Sequence, residues 1–152
     1  MQMNNPFDLQ RFVNAQEPVF TTVLEELRDG RKRSHWMWFI FPQLRGLGRS
    51  VTAEFYGIAS LDEARAYLAH PTLGLRLEEA TRAVLAIQGR TVHAIFGSPD
   101  DLKFHSSMTL FALAAEETAT LYREALARCF DGRMDTATLT SLGSPRAAGP
   151  MS

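Results

Sequence analysis

The side chains best suited to chemistry fall in two distant stretches. One is Ser34-His35-Trp36-Met37-Trp38-Phe39-Ile40-Phe41-Pro42-Gln43, six consecutive apolar residues, four of them aromatic, between a histidine and a polar end. It follows the cations Arg31-Lys32-Arg33 and leads into Arg45-Gly46-Leu47-Gly48-Arg49-Ser50. The other is Lys103-Phe104-His105-Ser106-Ser107-Met108-Thr109, an amine and hydroxyls set within an apolar run.

An aromatic wall beside cations suits a flat, anionic ligand such as a nucleobase with its phosphate. Trp36 and Trp38 are two positions apart and cannot share a helix face, so one belongs to the core and the other to a cavity, a partner or solvent. The glycine-punctuated loop enters a helix N-terminus, where free N–H groups favour an anion, and Arg45 and Arg49 flank it. Its spacing matches neither a P-loop nor the dinucleotide fingerprint, and no strand precedes it. Histidine is the side chain suited to acid–base work near neutral pH, so His35 is the candidate acid or base; Lys103 is the second catalytic candidate. A satisfied core histidine is the competing reading of His35.

At helical spacing Lys103, Ser106 and Ser107 share one face, and His105 and Thr109 form a second pair. Buried amines and hydroxyls need partners, so this face either meets protein acceptors or lines a polar cavity. The plainer alternative is Lys103 reaching solvent while the serines bond back to their own helix. The candidate ligand set is therefore Trp36, Trp38, Gln43, Arg45, Arg49, Lys103, Ser106, Ser107 and Thr109. The four histidines show no metal-ligand spacing and have no cysteine partners, so no metal site is expected, and no cofactor is implied. His70, before Pro71, reads as structural and His93 as surface.

The elements that must position these groups read as helices. With 152 residues, 45% hydrophobic and 22% charged, the chain suits one soluble domain. Val19, Phe20, Val23, Leu24 and Leu27 follow one-face spacing from Glu17-Pro18 to a stop at Gly30, with Phe7, Leu9 and Phe12 packed ahead of them. Ser34 is expected to cap a short helix from His35 to Phe41, ended by Pro42. Ser50 caps a helix closed by Gly57, and Ser60 opens another that His70-Pro71 breaks. A long helix runs from Thr72 to about Gly89, and Thr91 to Phe96 makes a short turn or helix. Ser98-Pro99-Asp100-Asp101 opens the lysine–serine helix, which continues to about Ala115. Helices over 117–130 and 135–142 complete an all-α single domain of about seven to nine helices with no significant sheet. The domain spans 1–143, and 144–152 reads as a disordered tail.

Net charge is −1, which favours neither nucleic acid nor membrane. Its distribution is uneven: Arg28, Arg31, Lys32, Arg33, Arg45 and Arg49 against Asp29 give +5 locally, leaving −6 for the rest. A solvated arginine loop explains this as well as a site does. Cys129 is the only cysteine and reads as a small buried hydrophobe. No apolar run approaches the ~20 residues of a membrane span, and no signal peptide is visible, so a cytoplasmic protein is expected.

Several strings together resemble one family. They are the tryptophan motif from Ser34 to Gln43, Gly46-Leu47-Gly48, Tyr56-Gly57-Ile58, His70-Pro71 with Leu73-Gly74 and Arg76-Leu77, and Ile95-Phe96-Gly97. Asp101, Lys103, Ser106-Ser107-Met108-Thr109-Leu110-Phe111, Asp135 and Thr138-Leu139 extend the match. The sequence is similar, from about Phe7 to Leu142 and with no departure at a motif position, to the bacterial and fungal domain-of-unknown-function family numbered 1810. The resemblance implies an all-helical single domain and brings no reaction, cofactor or catalytic assignment. Some relatives are labelled calpastatin, but nothing in this chain resembles that disordered, repeated inhibitor.

Three functions follow as expectations. The first is a pocket for a flat, anionic small molecule, nucleotide or ADP-ribose-like, with enzymatic turnover left open. The second is a module binding nucleic acid or an acidic protein through Arg28 to Arg49, which near-neutral net charge disfavours. The third is a non-catalytic dimerising domain; monomer and homodimer both remain open.

Overall fold

The structure, a computed structural model, describes the backbone of residues 7–115 and 121–147 and side chains as far as Gly143. Ten helices are present among the described residues: α1 Gln10–Gln16, α2 Phe20–Arg28, α3 Met37–Ile40, α4 Val51–Phe55, α5 Leu61–Ala69, α6 Leu73–Leu85, α7 Val92–Phe96, α8 Asp100–Ala114, α9 Leu121–Phe130 and α10 Thr136–Ala147. The seven that are seven residues or longer carry the bundle, and the only strand-like pairing among the described residues is one parallel bridge, Leu44 to Ile58. No described helix is long and apolar enough to cross a membrane.

Helix α8 is the axis. It buries residues on every side from Phe104 to Ala114, as an apolar helix without a single stripe must. Helices α5, α7, α9 and α10 surround it, and α6 packs on α2, α5 and α9. Phe41, Phe96 and Phe104 meet edge-on or stacked at centroid distances of 4.9–5.9 Å, which ties the tryptophan motif to the start of α8. Gly74 lets α6 leave α5 tightly: a Cβ there would lie 2.2 Å from the Leu68 carbonyl oxygen. His70 Nδ1 accepts hydrogen bonds from the N–H groups of Thr72 and Leu73, capping α6, and burial lowers its pKa.

Capping accounts for much of the agreement with the sequence. Ser50, Ser60 and Thr91 each accept a hydrogen bond from a first-turn N–H of α4, α5 and α7. Other boundaries differ. The segment carrying Leu9 and Phe12 is itself α1, and α2 begins only at Phe20. Ser98 does not cap α8, whose N-cap is Pro99. The last helix runs past Leu142 to Ala147; residues 148–152 of the expected tail, and the expected helix over 117–120, lie outside the described residues.

The tryptophan helix departs most. It spans Met37–Ile40, not His35 to Phe41, and Ser34 does not cap it. The reason is Glu26, a buried carboxylate on α2 that receives Ser34 Oγ–H, the N–H groups of Arg33 and Ser34, and Trp36 Nε1–H. Burial alone would raise its pKa, but these four donors outweigh burial and hold it at about 2. Cys129 is only half-buried; burial pushes its thiol pKa up, opposed by Arg128.

Candidate functional site

The loop leaving α3 is fixed before it reaches solvent. Arg45 N–H donates to Ile58 O at 2.7 Å and Ile58 N–H to Gln43 O at 2.9 Å, pinning the chain on both sides of Leu44. Beyond it Gly48 tucks beneath α4. A Cβ on Gly48 would stand 2.6 Å from Ala53 Cβ and 3.2 Å from Gln43 Nε2, so this approach requires glycine. Opposite this loop the first turn of α8 emerges from the core, leaving Leu102 62% exposed.

Between them lies a cleft of about 490 Å³. One wall carries Gln43, Leu47, Arg49 and Ser50; the other carries Leu102, Lys103 and Ser106, with Asp135 and Ala137 closing the end. A groove of about 580 Å³ also opens between the ends of α2 and α6, but its polar groups, Arg28, Arg82 and Arg90 among them, are all exposed. In the 490 Å³ cleft two polar side chains, Lys103 and Ser106, are held by protein partners. Ser106 is buried, its hydroxyl within reach of Asp135 Oδ2 at 3.1 Å and Leu102 O at 3.2 Å.

Lys103 is anchored from below. Its Nζ lies 3.6 Å from Asp100 Oδ1 and 5.1 Å from the centroid of Trp38, which is half-buried. Asp100 Oδ2 receives Lys32 Nζ at 2.8 Å, and Lys32 in turn stands 5.1 Å from the Trp36 ring. The chain's only two lysines and only two tryptophans are thus assembled about one aspartate. Two ammonium groups against one carboxylate leave local positive charge, to which Arg49, exposed and in no ion pair among the described residues, adds.

Four members of the sequence-derived set, Gln43, Arg49, Lys103 and Ser106, line the cleft, and Trp38 lies under Lys103. The others do not line it. Trp36 is sealed in the core at 1% exposure with its N–H on Glu26. Arg45 turns to the opposite side, donating to Gly57 O, with Glu54 at 4.0 Å. Thr109 is buried, donating to His105 O and accepting Asp135 N–H, so it ties α10 to α8. Ser107 is fully buried, with no hydrogen-bond partner for its hydroxyl among the described residues. His35 is exposed and away from the cleft, so it meets none of these groups. His105 is stacked on Phe130 at 4.0 Å and reaches Arg133 O. Among the described residues no three His, Cys, Asp or Glu side chains are arranged to hold a metal ion.

The sequence assigns no site role to three of these groups, although Lys32 stands among its local cations and Asp135 among the family strings. Asp100 looked like an ordinary first-turn acid, although its spacing of three from Lys103 was visible. Lys32 was hidden within a basic run, and Asp135 within a helix start.

Residues 6–142 match the family described as "Protein of unknown function (DUF1810)". The chain belongs to it. In this DUF1810 protein the matched region takes in every residue of the cleft. Among solved structures, the crystal structure of the conserved hypothetical protein Rv1873 from Mycobacterium tuberculosis is 56% identical, with a TM-score of 0.86 over 91% of this chain and 98% of that one. No curated protein matches the chain.

Proposed function

We propose that this DUF1810 protein binds a small anionic molecule in the cleft between the 43–50 loop and the start of α8, with nucleotide and ADP-ribose-like compounds as the leading class. The observation that carries the reading is the convergence of Arg49 and Lys103 on one hollow whose remaining lining, apart from the Asp135 carboxylate at its end, is apolar or hydrogen-bonding. Its volume, about 490 Å³, lies in the range of small-molecule sites. Leu47, Ala53, Pro99, Leu102 and Ala137 offer apolar area to a flat group, while Gln43 and Ser50 offer hydrogen bonds. Lys103, held over Trp38 and near Asp100, is pre-positioned and loses little freedom on meeting an anion.

The alternative, a nucleic acid or acidic protein along Arg28 to Arg49, has less behind it. Three of those six cations, Lys32, Arg33 and Arg45, already face Asp100, Asp29 and Glu54.

A thermal-shift titration with ADP-ribose, ADP, AMP and inorganic phosphate tests the proposal. Ligand at about 100 times its Kd adds roughly 2.7 kcal/mol of stability, a readily measured rise in Tm. Lys103→Met and Arg49→Ala should each abolish the rise. No rise with any compound, or a rise untouched by both substitutions, overturns the reading.

A further inference from the structure

Resting on that reading, we infer that the cleft's ligand is a hydroxyl-bearing phosphate, a sugar phosphate or the ribose phosphate of a nucleotide, and that Asp135 is the group that reads the hydroxyl. Asp135 stands at the head of α10 and divides its two oxygens. Oδ2 accepts three hydrogen bonds: from Thr138 N–H at 3.0 Å, from Thr138 Oγ1–H at 2.6 Å and from Ser106 Oγ–H at 3.1 Å. Oδ1 receives no donor from any described residue.

Capping a helix needs one acceptor oxygen, which serine, threonine or asparagine would supply as well. A carboxylate brings a second oxygen and a full charge, and here that second oxygen belongs to a side chain lining the cleft. The ligand must therefore satisfy opposite demands. Toward Arg49 and Lys103 it presents negative charge; toward Asp135 it presents a donor.

A bare phosphate can offer Asp135 only a P–OH on the very group that must meet the cations, so it sets the two demands against each other. An alkyl phosphate meets the first demand, but covers Asp135 with carbon and strips a carboxylate oxygen of water without replacing the hydrogen bond. An ammonium-bearing ligand meets the second and is repelled by the two cations. A neutral hydroxyl a few bonds from a phosphate meets both. The selectivity is one-sided, because a site built around a ligand hydroxyl penalises the analogue that lacks it.

Calorimetric titration of the full chain with D-ribose 5-phosphate, n-pentyl phosphate and inorganic phosphate tests this. The wild-type protein should prefer ribose 5-phosphate to pentyl phosphate by at least about tenfold, the worth of one hydrogen bond to a charged acceptor. Asp135→Asn should bring that preference down to near parity. Thr138→Val, which removes a donor to Oδ2 and leaves Oδ1 alone, should keep it, separating hydroxyl reading from loss of the cap. Equal affinity of the wild type for the two organic phosphates, or a preference that survives Asp135→Asn, overturns the inference and leaves the anion cleft standing. No binding of any of the three overturns the inference, and the anion cleft then stands or falls with the titration of ADP-ribose, ADP and AMP. The wild-type comparison decides even where Asp135→Asn fails to fold.

Discussion

Lys32 Nζ stands 2.8 Å from Asp100 Oδ2, with the lysine side chain 9% exposed and that of the aspartate 19%. An ion pair so far from water is held in place by what breaking it would cost, since a buried charge left alone is expensive. The two partners differ in what they leave behind. Asp100→Asn strands Lys32 with only the Trp36 face and should destabilise the protein by about 3 kcal/mol. Lys32→Met leaves Asp100 with Lys103, 3.6 Å from its other oxygen, and should cost distinctly less. Urea unfolding of both variants checks the order, and the reverse order would refute this account of the cluster.

Glu26 gives the fold a pH dependence with a definite sign. Its carboxyl is held at about 2, against an ordinary value of 4.5, by Ser34, Arg33 and Trp36 donors that outweigh burial. A depressed carboxylate contributes stability that is complete above about 4.5 and is lost as pH falls toward 2. Between pH 7 and pH 3 the stability gap between wild type and Glu26→Gln should narrow by about 2 kcal/mol. Denaturant titrations at the two pH values measure it. A gap of constant width would mean that Glu26 titrates alike in the folded and the unfolded chain, and would refute this account of its four donors.

The same carboxylate explains where the sequence stopped being readable. Helix positions followed from local chemistry: one-face spacing in α2 and α6, caps at Ser50 and Ser60, a glycine stop at Gly30 with φ 78°. Ser34 looked like another cap by the same local rule, but its hydroxyl is taken by Glu26, a residue from the previous helix. The two tryptophans divided as their spacing required, Trp36 inside and Trp38 half-exposed. The site was legible where a group's own type and face sufficed, as for Lys103 and Ser106. It was illegible where a partner decides the direction. Arg45 and Arg49 are matched ends of one basic loop, yet the Leu44–Ile58 bridge and Gly57 O turn Arg45 away. Asp100 could not announce that it joins two lysines, because nothing local places Lys32 beside it.

Trp38 is a built-in reporter. Lys103 Nζ lies 5.1 Å from its ring, while Trp36 is 1% exposed and bonded to Glu26. An anion pairing with Lys103 changes the charge beside Trp38 and leaves Trp36 as it was. Titration with ADP-ribose should therefore alter the intrinsic fluorescence, and Trp38→Phe should remove the response. Lys103→Met should shift the emission of the free protein and cost about 1 kcal/mol of stability, the scale of one cation–π contact. A response that persists in Trp38→Phe would place the ligand elsewhere.

Gly48 separates the shape of the cleft from its charges. A methyl group there would lie 2.6 Å from Ala53 Cβ and 3.2 Å from Gln43 Nε2, so Gly48→Ala must push α4 off the 43–50 loop. Overpacking of this kind costs about 1–3 kcal/mol. It also displaces the wall bearing Arg49 and Ser50 while removing none of the charged groups of the cleft. Ligand affinity should fall at least about tenfold, as expected when positioned groups are lost. Adding Ala53→Gly to Gly48→Ala removes the methyl that the new one strikes. Glycine within α4 costs about 1 kcal/mol of its own, so the double variant should recover binding but not stability. That split is informative, because a variant that merely loosens the fold would lose and regain the two together. Undiminished binding by Gly48→Ala alone would show that the loop's approach to α4 does not shape the ligand site.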